Sequence, residues 1–119
     1  GTIAADGRPK LVPVCYAFED GRFGIAIDEK PKRSTNLARL ANIARDPRAT
    51  LLIDCYADDW TQLAWLRLDC SATVFERGDE RPAMLAALRQ RYPQYEGMAL
   101  EARPLIVLEV ERVVGWRWG

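Results

Sequence analysis

Lys30-Pro31-Lys32-Arg33-Ser34-Thr35 sets three cations and two hydroxyls at the junction between a strand-like run and a helical pattern. From Lys30 to Arg48 six basic residues (Lys30, Lys32, Arg33, Arg39, Arg45, Arg48) face one acid, Asp46, a local charge of +5. The whole chain of 119 residues balances 17 basic against 17 acidic side chains, so the remainder sums to −5. A helix start already favours an anion, phosphate above all, through its free N–H groups and dipole. Cations placed there oppose the dipole, at roughly a few tenths of a kcal/mol each. A bound anion would neutralise them and take the free N–H groups. The glycines of a Walker loop are absent.

Little else in the chain offers conventional catalysis. There is no histidine, which removes Ser–His and Cys–His pairs, the usual zinc enzymes and the commonest general base. Cys15, Cys55 and Cys70 are far apart, form no C-x-x-C pair, and read as buried small hydrophobes in strands of a protein from a reducing, cytoplasmic setting. Asp54, Asp58 and Asp59 are too scattered to predict a metal site. Trp60, Trp65, Trp116 and Trp118 read as core or interface anchors, or as walls around an aromatic ligand. Arg67 shares the face of Trp65, and either meets an anion or pairs with Asp69 or Glu76. Zero net charge disfavours a general nucleic-acid or membrane-surface binder, and no apolar run approaches the roughly 20 residues that span a bilayer.

Positioning these groups falls to a simple order of elements. Asp6-Gly7 and Asp20-Gly21 are hairpin turn signals, and they separate strands over Thr2–Ala5, Lys10–Glu19 and Arg22–Ile27. Both faces of the middle strand are apolar, which predicts cover on both sides, and Pro13 places it at an edge or bulge. Leu37, Leu40, Ala41 and Ala44 predict one face of an amphipathic helix with Ser34 or Thr35 as N-cap, ending at Asp46-Pro47. Ala49–Cys55 and the alternating Leu63–Glu76 predict two strands. Glu80–Arg91 predicts a helix with Asp79 as cap and Met84, Leu85 and Leu88 inward. Leu105–Val113 and a short closing run Gly115–Trp118 complete the order. Three strands, helix, two strands, helix, two strands predicts a mainly β (α+β) antiparallel barrel in a single domain, residues 1–119. A chain that opens on Gly1 and enters a strand at once predicts a missing N-terminal segment.

With these elements in place the chain resembles the pyridoxamine-phosphate-oxidase-like split β-barrel superfamily. The resemblance rests on Thr2-Ile3-x-x-Asp6-Gly7-Arg8-Pro9, Val12-Pro13-Val14, the Lys/Arg segment with Asn36-Leu37, and Asp46-Pro47-Arg48-Ala49-Thr50-Leu51-Leu52. Within the superfamily it is most similar to the actinobacterial branch that uses the deazaflavin coenzyme F420. There Lys-Pro-Lys-Arg-Ser/Thr, Asp58-Asp59-Trp60, Trp65-x-Arg67, Arg91-Tyr92-Pro93-Gln94-Tyr95 and Gly115-Trp116-Arg117 recur together. The chain departs from true pyridoxamine-phosphate oxidases in lacking their terminal Arg-x-Pro-type ending, so that substrate is not expected. Its first helix is longer than the common form, and Cys70 and Lys10 stand where Gly and often His are expected.

The resemblance implies a split β-barrel homodimer with the cofactor at the subunit interface. It implies an oxidoreductase that passes hydride from F420 to a small unsaturated or carbonyl substrate. Lys30, Lys32, Arg33, Ser34 and Thr35 would hold the phosphate, with Arg39 one turn on. Val14, Cys15 and Tyr16 would lie along the ring, and Trp60, Arg67 and Trp116 would complete the pocket. No catalytic acid is assigned; Tyr16 and Tyr56 are candidate proton donors. The alternatives are an FMN-dependent or flavin-binding protein of the same fold and a non-catalytic nucleic-acid-binding small barrel.

Overall fold

Asp20 and Gly21 both take positive φ, 51° and 76°, and make the tight two-residue turn that joins β3 (Ala17–Glu19) to β4 (Arg22–Ala26). A computed structural model describes residues 1–27 and 33–119, with 33–37 described as backbone alone. Within them β4 leads on through α1 (Arg33–Arg45) to β5 (Arg48–Cys55), β6 (Ala64–Phe75), α2 (Pro82–Arg91) and β7 (Leu105–Arg117). These five strands form one antiparallel sheet in the order β3-β4-β7-β6-β5. A separate hairpin precedes it, β1 (Thr2–Ile3) with β2 (Pro9–Lys10), turned by Asp6 and Gly7. The sheet is not closed, and the fold agrees with the split-barrel class expected, mainly antiparallel β with two α-helices among the described residues.

The sheet buries both faces at β4 and the start of β7, which explains the unbroken apolar run Leu105–Leu108. On one face Phe23, Ile25, Leu51, Leu68, Cys70, Ile106 and Leu108 pack with Ile43 of α1. On the other, Ala26, Leu105 and Val107 pack with Met84, Leu85 and Leu88 of α2. Gly24 lies under α2, where an added methyl would overlap the Met84 side chain. Leu68, Cys70 and Ala72 confirm the alternation expected of β6, whereas Leu66 is exposed.

Several elements differ from expectation. The strand expected over Lys10–Glu19 is two short pieces, and residues 11–16 between them leave the sheet. Pro13 lies in this stretch and can donate to no ladder. Its faces are not both covered: Leu11 is 82% exposed, and Cys15 is exposed too. Cys55 is likewise exposed, so only Cys70 fills the buried role. The inward face of α1 is carried by Asn42 and Ile43 with Leu40, while Ala41 and Ala44 face outward. Ser34 and Thr35 fall inside the first turn of α1 rather than capping it. Asp79 belongs to a preceding 3-10 turn, Gly78–Glu80, and is clamped by Arg77; Arg81 takes the cap position of α2.

The closing run is no separate strand. Residues 105–117 are one strand with a bulge opposite Asp69 and Cys70: Asp69 pairs with Arg112 and Cys70 with Val110, leaving Glu111 extra.

Candidate functional site

The departure of residues 11–16 from the sheet opens a cavity of about 970 Å³ between that stretch, α1 and β5. Its floor is apolar, from Ile25, Ile43, Leu51, Ile106 and Leu108, all buried. Its rim is cationic: Lys10, Arg39, Arg67 and Arg91 line it against one acid, Asp54. A cavity of this size and make-up suits a flat apolar ring system that carries an anion.

Two contacts with α2 and its end hold the wall at 11–16. The Tyr16 N–H donates to the Tyr92 hydroxyl at 3.2 Å. The Arg91 guanidinium lies 4.1 Å over the Tyr16 ring and 5.3 Å from that of Tyr92. Hydrogen bonding to Tyr16 raises the pKa of Arg91 above its ordinary value. Tyr16 also packs on Phe23, with ring centroids 5.6 Å apart. On the opposite wall Asn42, 8% exposed, donates to the Thr2 hydroxyl at 3.3 Å and accepts from Arg45 at 3.3 Å, fixing α1 against the first hairpin.

The structure brings together Val14, Tyr16, Arg39 and Arg67 of the residues singled out by sequence. Lys30 and Lys32 lie outside the described residues, and Arg33, Ser34 and Thr35 are described only as the first turn of α1. That turn begins six residues before Arg39, about 9 Å along the helix axis. Cys15, Trp60 and Trp116 do not line the cavity of the single chain. Trp60 is 64% exposed in a 3-10 turn. Trp116 stands beside Trp65 across the β6–β7 ladder, and Arg67 lies 5.7 Å from the Trp65 ring. Tyr56, 82% exposed, is also away from the cavity.

The basic cluster therefore divides. Arg48 is spent on Asp46, with Nη2 to Oδ2 at 2.6 Å, and holds that carboxyl down to about 2. Arg45 braces Asn42. Arg39 alone of the helix's later cations reaches the cavity. Asp59 accepts from the Thr61 N–H and hydroxyl at 3.1 and 2.7 Å, which explains it as a cap. Burial pushes the Cys70 thiol up to about 11, helped by Asp69 and Glu111, so it is an inert core group. Arg91, Lys10 and Asn42 were missed as site residues; the Arg91-Tyr92-Pro93 motif was the signal available for the first.

The family model for pyridoxamine 5'-phosphate oxidase matches residues 1–117. The chain belongs to the pyridoxamine 5'-phosphate oxidase family. Solved structures of this fold include a conserved hypothetical protein from Mycobacterium tuberculosis, 22% identical with TM-score 0.76, where the match covers 98% of this chain and 73% of that one. A heme binding protein from Mycobacterium smegmatis is 24% identical with TM-score 0.74, covering 97% of this chain and 46% of that one. A FAD-binding protein from Mesorhizobium loti is 18% identical with TM-score 0.67, covering 96% and 80%. Solved structures of this fold thus include flavin and haem binders. Among the described residues no helix is long and apolar enough to cross a membrane.

Proposed function

We propose that the chain is a cytoplasmic, homodimeric oxidoreductase dependent on the deazaflavin coenzyme F420, acting on a small unsaturated or carbonyl substrate. The observation that carries this reading is the cavity with an apolar floor and a rim of four cations. Those residues fit a tricyclic ring with an anionic tail. The cofactor, when bound, supplies the hydride. The chain supplies the rest. Ile25, Leu51, Ile106 and Leu108 would keep water from a ring held in the cavity, and the 11–16 stretch, pinned at Tyr16, would form one of its walls. Arg39 offers the phosphate a charge one turn beyond Arg33, Ser34 and Thr35, with Lys30 and Lys32 before them. Tyr16 is the cavity-lining hydroxyl able to hand over a proton.

The dimer is supported by exposed apolar side chains on the far ends of β6 and β7. Leu66 and Val113 are 44% and 54% exposed on one face of the β6–β7 ladder, and Trp116 and Trp118 are 45% and 49% exposed on the other; exposed apolar groups of this kind mark contact surfaces. In a dimer Trp60 and Trp116 would reach the partner's cavity.

FMN is the second reading, favoured by the FAD-binding neighbour, since phosphate capture is the same for either cofactor. Haem, bound by the M. smegmatis neighbour, would here lack a histidine ligand. Titration with F420 and FMN, followed by fluorescence and absorption near about 420 and 450 nm respectively, separates the readings. Replacing Lys32 and Arg33 together by Ala should weaken binding of the preferred cofactor by roughly 1.5–3 kcal/mol per lost charge-assisted contact. Failure of both cofactors to bind at micromolar levels refutes the proposal; unchanged affinity in the double variant refutes the phosphate assignment.

A further inference from the structure

Several arginines of this fold are spent on carboxylates. Arg22 pairs with Glu109 at 3.2 Å, Arg77 with Asp79 at 2.9 Å, and Arg89, two residues before Arg91, with Glu101. Arg67 and Arg91 are held differently. Each lies against an aromatic face, Trp65 at 5.7 Å and Tyr16 at 4.1 Å, and neither meets a carboxylate among the described residues. Both line the same cavity. With no carboxylate partner a guanidinium keeps N–H donors for a planar oxyanion, which it can grip by parallel hydrogen bonds; on Arg91, Tyr16 takes a share of them. The proposed function gives the phosphate to the start of α1 and Arg39, which leaves Arg67 and Arg91 on the same rim for a second anionic group.

We infer that Arg67 and Arg91 receive a carboxylate, and that the substrate is an unsaturated or carbonyl-bearing organic acid. This rests on the proposed function in so far as the carboxylate belongs to a substrate; the same chemistry could come from the glutamyl tail of the deazaflavin. The apolar floor beneath the pair favours an acid whose body is apolar.

Cinnamate and its uncharged twin cinnamamide are the probes, titrated calorimetrically into the protein with and without FMN. The acid should bind at least roughly tenfold tighter than the amide, the measure of one charge-assisted pair. Arg67→Gln and Arg91→Gln should each close that gap, with FMN affinity measured alongside in both variants. Arg67 is on an exposed face, so its variant keeps the test valid if the loss of Arg91 disturbs folding. If the variants weaken F420 alone, and leave FMN and cinnamate untouched, the carboxylate is the cofactor's and the substrate assignment is overturned. Equal binding of acid and amide overturns the site itself. Discrimination by a protein that binds neither cofactor would sink the proposed function and leave this inference standing.

Discussion

Tyr92→Phe removes one oxygen atom and tests whether α2 sets the shape of the cavity. The lost hydroxyl accepts the Tyr16 N–H at 3.2 Å, and both residues are half-buried. The ring contacts survive: Phe can still stack beneath Arg91 and meet Tyr95 edge-on, where the centroids are 5.7 Å apart. The change therefore isolates a single neutral hydrogen bond, worth about 1 kcal/mol. For a chain of this length that corresponds to a fall in Tm of roughly 3–5 °C. Because dimerisation would make Tm depend on concentration, the comparison is made at one protein concentration. The local effect should exceed the global one. Residues 11–16 have no ladder to hold them, so amide exchange at Tyr16 should accelerate several-fold more than in β4 or β7, and cofactor affinity should fall with it. An unchanged Tm together with unchanged exchange at Tyr16 would refute the idea that Tyr92 pins the cavity wall.

Three further outcomes follow from other parts of the molecule. Arg89 holds the Glu101 carboxyl down to about 2 from an ordinary 4.5; a depressed carboxylate stabilises the fold above its ordinary pKa and loses that contribution as pH falls from 4.5 toward 2. Tyrosine near-UV dichroism, reporting Tyr95, should change over that window in the native protein and lose that dependence in Glu101→Gln. Gly24→Ala forces a methyl into Met84, itself 1% exposed, and should cost about 1–3 kcal/mol in chemical denaturation; no loss would mean α2 can shift freely on the sheet. Val113→Asp places a charge among exposed apolar side chains, and should halve the mass seen in sedimentation while far-UV dichroism stays native. A single-chain mass for the unaltered protein removes the dimer.

Periodicity was enough to read most of the fold. Met84, Leu85 and Leu88 fell inward as spaced, and Asp20-Gly21 turned where a two-residue turn was expected. The failures have local causes. Alternation in Leu11–Phe18 is that of a strand, yet Pro13 cannot donate and Tyr92 and Arg91 compete for Tyr16, so tertiary contacts overrode the pattern. Apolar spacing on α1 pointed to its alanines, but methyls gain little from burial, and Ile43 with the hydrogen-bonded Asn42 prevailed. The site was half legible. Charge clustering found Arg39 but did not separate it from Arg45 and Arg48, whose partners Asn42 and Asp46 lie only three and two residues away and which a count of charges does not pair. Arg91 joins the site because α2 ends beside Tyr16, 75 positions earlier in the chain, and no short spacing encodes that.

The bulge at Glu111 gives β7 two phases. Val110 and Val113, three apart, are set on the same side as Cys70 and Leu68, where an unbroken strand would keep side with even spacing. Length changes should therefore be tolerated very unevenly along this strand. Deleting Glu111 removes the unpaired residue and restores a regular ladder, Val110 opposite Cys70 and Arg112 opposite Asp69, with each half still facing its own side. Deleting a neighbour such as Leu108 would turn one half of the strand inside out. Among relatives that differ in length within this strand, the gained or lost residue should fall at position 111, a natural joint where the chain can change its length without exchanging its two faces.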